Sequence, residues 1–264
     1  MLGAALATGF SPIVSILILS SHVIRKKNTF HLRKTKLSIR TYGRICSLGF
    51  APFITEISFA IVLTVFNGLF KKLGGDTAIA AYTIIINVFY VTNSIFNGVA
   101  NGTQPMISFS YGESDHKKIR QILKYALVTV SSIAVVMYVT IFFGADGIAS
   151  VFNTQGVEAL QEAATHGMRL FFISSLFSGF NLLFSYYFSA SNRGGYAQLI
   201  TLLRGLVSIV PFAYLFAYLW KMTGLWLATP AAELLTLGVT LCIFFLTRAK
   251  KEELIPCPEY RKER

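Results

Sequence analysis

Long apolar stretches separated by polar gaps decide what this chain can fold into, because each is too long, and too apolar all round, to be the half-buried helix of a soluble domain. They run Met1–Ile24, Leu48–Phe70, Ala78–Phe109, Ile122–Phe143, Met168–Ala190, Leu199–Trp220 and Leu225–Leu246. At a rise of ~1.5 Å per helical residue, each covers a hydrocarbon core of ~30 Å. In lipid every backbone donor and acceptor must be paired within the protein. The pattern therefore predicts an all-α, polytopic membrane protein of seven transmembrane helices.

The basic residues orient it. Nineteen of the 24 Lys and Arg residues fall in every second gap. The first gap holds Arg25, Lys26, Lys27, Arg33, Lys34, Lys36, Arg40 and Arg44. The third holds Lys117, Lys118, Arg120 and Lys124, and the fifth Arg193. The tail holds Arg248, Lys250, Lys251, Arg261, Lys262 and Arg264. The other gaps have only Lys71, Lys72 and Lys221, while Arg169 and Arg204 lie near or within spans. The positive-inside rule puts the basic gaps in the cytoplasm, with the amino terminus outside and the carboxyl terminus inside a plasma (inner) membrane. The net charge of +12 then belongs to loops facing anionic headgroups, and nucleic acid is not an expected partner.

Catalytic signatures are missing. Cys46, Cys242 and Cys257 have no paired spacing, the four histidines are scattered, and neither a phosphate-cradling glycine loop nor a nucleophile elbow occurs. No enzyme activity, metal or cofactor is expected. Met1–Ile24 is not read as a signal peptide, since its positive charges follow the apolar run. A membrane protein that starts mid-helix points to a chain extending further upstream.

Five prolines, Pro12, Pro52, Pro105, Pro211 and Pro230, lie in spans. Each removes a helical hydrogen bond and predicts a kink, although membrane helices also simply tolerate proline. In the third span, Asn87, Tyr90, Asn93, Asn97, Asn101 and Gln104 project within a sector of roughly 120°, opposite Ile84, Val88, Val91, Ile95, Val99 and Met106. One or two amides suit interhelical bonding, worth about 0.6–2 kcal/mol each; five on one stripe favour a hydrated cavity. The fifth span carries Ser174, Ser178, Asn181 and Ser185 on one face. Cavity lining and small-residue packing both fit that face.

Only two acids, Glu56 and Glu233, lie inside spans. A charge at the bilayer centre costs about 2.5–3.5 kcal/mol on insertion scales, so such residues face the bundle interior and often mark ion pathways. Glu56, four residues after Pro52, is the candidate for loading and releasing H⁺ or Na⁺; a hydrogen-bonded structural Glu is the plainer reading. Glu233 and Arg204 differ in depth by about 10 Å, which a long Arg side chain partly bridges. They are expected to form an ion pair between the last two helices, fixed or switchable.

Residues Asn97–Arg120, NGVANGTQPMISFSYGESDHKKIR, resemble the end of the eighth helix and the following loop of the multidrug and toxic compound extrusion (MATE) family. Ala51-Pro52 with Glu56 resembles that family's seventh helix. Arg204-Gly205 with Pro211, Gly224-Leu225-Trp226 and Pro230-Ala231-Ala232-Glu233 look like its last two helices. The resemblance implies a twelve-helix fold of two six-helix lobes. Residues 1–24 would be the last helix of an absent amino-terminal lobe, 25–44 the basic interlobe loop, 45–247 the carboxyl-terminal lobe and 248–264 a cytoplasmic tail. It also implies exchange of H⁺ or Na⁺ for organic cations or amphipathic drugs by alternating access, with membrane lipid and the missing lobe as partners. Glu56 matches the family's seventh-helix acid. Where some members carry an acid in helix ten, this chain has Asn181 and serines.

Apart from the resemblance, an amide-lined cavity, proline kinks and lone buried acids suit two bundles rocking about a central site. The 23 Phe and 12 Tyr would suit flat cations, though most such rings pack or anchor. Competing readings are a seven-helix receptor or sensor, a lipid-linked sugar flippase, and a half that is inactive or serves only assembly. A retinal protein would need a lysine in the last span, and Leu225–Leu246 has none.

Overall fold

The computed structural model describes residues 10, 13–18, 20–21 and 39–249. Most of the expected first span, most of the basic segment 25–44 and the tail from 250 lie outside them. The chain divides into two units, Met1–Leu48 and Gly49–Arg264. In the first, residues 13–18, 20–21 and 39–48 are helical.

The described residues form helices and short turns, with no strand among them. The helices are α1 (Ile39–Gly112), α2 (His116–Phe152), α3 (Glu158–Phe171), α4 (Ser175–Ala190), α5 (Gly194–Leu202) and α6 (Ser208–Ala249). A 3₁₀ turn, Phe172–Ser174, joins α3 to α4, and a π turn, Leu203–Val207, joins α5 to α6. Helix α1 begins at Ile39, inside the stretch 25–44 expected as loop. A helical ladder once formed does not stop where hydrophobicity does.

Among the described residues, four continuous stretches are long and apolar enough to cross a membrane: Glu56–Gly112, His116–Phe152, Glu158–Ala190 and Gly194–Thr247. The first, of 57 residues, would reach ~85 Å if straight, far beyond a ~30 Å core. It folds back at Gly75, whose φ of 65° and ψ of −153° are non-helical. Ring contacts fix the result: Phe70 lies 4.8 Å from Tyr82, Phe66 5.5 Å from Tyr82, and Phe59 5.9 Å from Tyr90. Such pairs meet only if residues 59–74 and 76–90 run antiparallel. Helix α6 folds back in the same way at Lys221, with φ 50° and ψ −124°. There the arms approach so closely that a Cβ on Gly224 would sit 2.1 Å from the Phe216 carbonyl oxygen.

Both reversals fall in gaps expected between spans, and the prolines inside α1 and α6 leave no non-helical residue at their own positions; Pro12 lies outside the described residues. Pro211 and Pro230 sit inside α6, yet its non-helical residue is Lys221. Pro211 acts more locally. The π turn ends at Val207, the residue whose carbonyl Pro211 has no N–H to meet, and widening the turn there relieves the ring clash.

The turns alternate between the two ends of the bundle. At the basic end, Ser114 and Asn192 take left-handed φ values of 58° and 56°. There Asp115 Oδ1 also accepts the Lys118 N–H to start α2. At the other end Asn153 Oδ1 accepts the Val157 N–H, closing the α2–α3 turn. Beside that end lies the larger apolar cluster, in which Phe70, Tyr82 and Trp226 stack around Ile85, Met168 and Phe172. Toward the basic end a second cluster gathers Phe96, Val130, Leu183, Phe184, Phe188 and Ile200.

Gly224→Ala is expected to lower the thermal unfolding midpoint in detergent, because the backbone of Phe216 has nowhere to go. Lys221→Gly is expected to raise stability by about 1 kcal/mol, since a side chain at positive φ with that ψ is strained. A lower midpoint for Lys221→Gly would contradict the assigned bend.

Candidate functional site

Between the two apolar clusters the buried residues turn polar. On α4 and its entry they are Ser174, Ser175, Ser178 and Asn181; on α6 they are Thr229, Glu233, Thr236 and Thr240. The layer is centred on Glu233, 2% exposed. Arg204, in the π turn, bonds Glu233 Oε1 through Nη2 at 2.8 Å and Nε at 3.3 Å. Asn181 Nδ2 donates to Oε2 at 2.7 Å and to the Glu233 carbonyl at 2.9 Å.

Both carboxylate oxygens are therefore bonded, which is the condition for keeping an ionised pair inside a bundle. The two charges expected to meet between the last helices do so. The π turn contributes by rotating Arg204 toward α6.

Asn181 corrects the reading of the fifth span. It is fully buried and donates through its amide N–H groups to Glu233, while its Oδ1 has no hydrogen-bond partner, so it faces the interior of the lobe and not its open surface. Ser178 and Ser185 are buried beside it, and Ser185 Oγ pairs with Thr201 Oγ1 at 3.1 Å. That face is a packing seam. Periodicity identified the stripe, but it does not distinguish a sealed seam from a wet one.

The third-span stripe behaves differently. The face of α1's second arm that the rest of the lobe covers consists of Ile85, Thr92, Phe96, Ala100, Thr103 and Ile107, all buried. The amide face lies about 110° round the helix from it. Asn87 and Asn101 are exposed, Tyr90 is 44% exposed, and Asn93, Asn97 and Gln104 are half-buried. A third face, with Val91 61% and Met106 56% exposed, is apolar.

The amides are not all free. Asn87 Nδ2 donates to the Thr83 carbonyl at 2.9 Å and Asn97 Nδ2 to the Asn93 carbonyl at 3.0 Å. Tyr186 Oη of α4 donates to Asn97 Oδ1 at 3.3 Å, a link that spacing along one helix does not reveal. Asn93 Oδ1 is buried without a hydrogen-bond partner.

Glu56 lies on the exposed face of α1's first arm with Ala60, while Asn67 on that side is half-buried. The hairpin register set by Phe66–Tyr82 and Phe59–Tyr90 brings Glu56 level with Asn93. The acid and the amide face thus share a depth on the same hairpin. Glu56 has no ion pair within 4.0 Å among the described residues.

The chain matches the MatE family model over residues 52–215. A multidrug export protein named MepA from Staphylococcus saprophyticus is 26% identical over 249 residues, 93% of this chain and 54% of that protein. The MepA of Staphylococcus aureus is 24% identical over the same span. Among solved structures, an outward-facing multidrug resistance MATE transporter of the MOP superfamily matches with a TM-score of 0.83 at 22% identity, covering 95% of this chain and 57% of that one. A Pyrococcus furiosus MOP superfamily transporter, described as having a binding pocket of reverse polarity, matches with 0.84 at 20% identity, covering 96% and 57%. An inward-facing MATE transporter matches with 0.75 at 19% identity, covering 85% and 54%. The chain spans about half the length of the curated relatives it matches.

Arg204→Met or Glu233→Met alone is expected to cost about 3–5 kcal/mol, because each strands a buried charge. The double variant should recover most of that loss in detergent unfolding. Equal destabilisation by the single and double variants would contradict the pairing.

Proposed function

The chain belongs to the MatE family, and on that premise we propose that it acts as the carboxyl-terminal lobe of an antiporter. It would export organic cations or amphipathic drugs in exchange for H⁺ or Na⁺ by alternating access. The observation that carries this reading is the uncovered amide face of α1 standing level with Glu56, while the central buried carboxylate, that of Glu233, is already neutralised by partners within the lobe. A polar face left open beside an apolar one in lipid needs water or a second bundle against it. The natural occupant is a companion lobe of the kind its relatives possess, enclosing a cavity between the two.

The charge of that face bears on the cargo. The second arm of α1 has no Lys or Arg between residues 76 and 112, and Glu56 adds one acid. Such a wall suits cations and neutral amphiphiles. It disfavours the anionic carriers of a lipid-linked sugar flippase, and a receptor would leave Glu56 without a task. In this reading Glu56 loads the coupling ion, and its occupancy biases the balance between outward and inward states. Tyr90 and Phe59 offer ring faces beside it for stacking or cation–π contact. The basic ends face the cytoplasm of a plasma membrane.

The test is ethidium efflux from cells expressing the gene in its native context and lacking other pumps. Glu56→Gln is expected to reduce gradient-driven efflux about 5- to 150-fold, the range of typical coupling free energies. Unchanged, ion-dependent efflux in Glu56→Gln would remove that residue from the mechanism.

A further inference from the structure

A cleft of about 90 Å³ opens at the basic end of the bundle, away from the amide face. Its polar wall comprises Tyr111, His116, Arg120, Tyr187, Ser191 and Arg193. No acid lines it. The acids of the adjacent turn are engaged elsewhere: Glu113 pairs with Lys118 at 3.6 Å, and Asp115 caps α2. Arg120 and Arg193 have no ion-pair partner among the described residues.

Three further features point to an anion. Two helices start beside the cleft, α2 at His116 and α5 at Gly194, and the α5 N-cap makes no side-chain bond. The amide N–H groups at a helix start and the helix dipole favour negative charge there. The α5 start is also open, since a Cβ on Gly194 or Gly195 would meet nothing within 4 Å. Independently, Ser191 is 4% exposed and its hydroxyl has no hydrogen-bond partner. A buried hydroxyl left unpaired is costly, and a bound oxygen atom would offset that cost.

We propose that this cleft is a phosphate-binding site, occupied by the phosphodiester of an anionic lipid headgroup or by free phosphate. Arg120 and Arg193 are the charged donors, and Ser191 with the α5 N-terminus supplies neutral ones. The level of the site suits a headgroup, because it sits where the hydrocarbon-spanning arms end in the turns at Ser114 and Asn192. The arginine fork and a hydroxyl match phosphate oxygens better than a diffuse surface charge does. Occupancy would tie α2, α5 and the end of α6 together at one membrane face, since Phe244 and Thr247 close the cleft.

The experiment uses the full chain in neutral detergent, with phosphatidylglycerol and phosphatidylcholine binding counted by native mass spectrometry and inorganic phosphate titrated by calorimetry. Phosphatidylglycerol or phosphate is expected to bind, and Arg120→Gln with Arg193→Gln to weaken it about tenfold or more. Lys117→Gln with Lys124→Gln, which removes the same formal charge outside the cleft, should change binding less than about twofold. Ser191→Ala keeps the charges and should still weaken binding about threefold, which covers the case of an arginine variant that fails to fold. Displacement of phosphatidylglycerol by millimolar phosphate would identify free anion as a competent ligand; resistance to it would identify the lipid. Equal losses from the two charge-matched pairs, or no preference for phosphatidylglycerol together with no phosphate binding, would overturn the site.

Discussion

Arg204, Glu233 and Asn181 form the constraint around which the lobe is organised. An unpaired carboxylate or guanidinium at that depth would be costly in lipid, so α4, the π turn and the second arm of α6 must meet where all three side chains reach one another. Four hydrogen bonds specify the meeting point. Apolar packing in lipid lacks the hydrophobic driving force that fixes registers in water, which makes such a polar contact the stronger determinant of alignment. The two apolar clusters fall on either side of it. The π turn fits the same requirement, since it accommodates Pro211 while bringing Arg204 round toward Glu233.

With the interior fixed in this way, the polarity of the outer surface becomes informative. The hairpin at Gly75 holds Glu56 level with Asn93; Glu56, Asn87 and Asn101 are exposed, while Asn93 and Asn97 are half-buried. One acid and a column of amides remain available on a surface whose neighbouring face is apolar. The difference is physical: the inner acid is neutralised by its own fold, whereas the outer one has no ion-pair partner among the described residues. On the proposed reading, such a lobe would rock as a unit, its interior contacts unchanged while its open face exchanges partners.

Much of this was legible in the sequence, for identifiable reasons. Span lengths and the alternation of basic gaps follow from backbone satisfaction in lipid and from charge asymmetry, and both can be read residue by residue. The Arg204–Glu233 contact was legible from the cost of intramembrane charges together with a depth difference that a long Arg side chain partly bridges. Asn181 was not, because helical spacing gives a face but not what lies against it. The covered face of α1, with Thr92, Ala100 and Thr103 among its buried residues, was also hidden: membrane helices are apolar all round, and small or hydroxyl residues carry no strong signal. The reversals at Gly75 and Lys221 fall in the gaps left between the expected spans, whereas the kinks expected at prolines inside spans do not appear as non-helical residues in α1 or α6. A proline in a packed helix can be absorbed by a neighbouring π turn, whereas Gly75 and Lys221 take the backbone dihedrals that reverse the chain.

The central claim is that the amide face of α1 lines water rather than lipid. It is tested most directly by replacing the three native cysteines with serine, introducing single cysteines at Asn93, Asn97 and Asn101 and, as controls, at Val91 and Met106, and labelling membranes with an impermeant thiol reagent. The account predicts modification at the three amide positions and protection at the two apolar ones. Protection at Asn93, Asn97 and Asn101 together with labelling at Val91 and Met106 would contradict it.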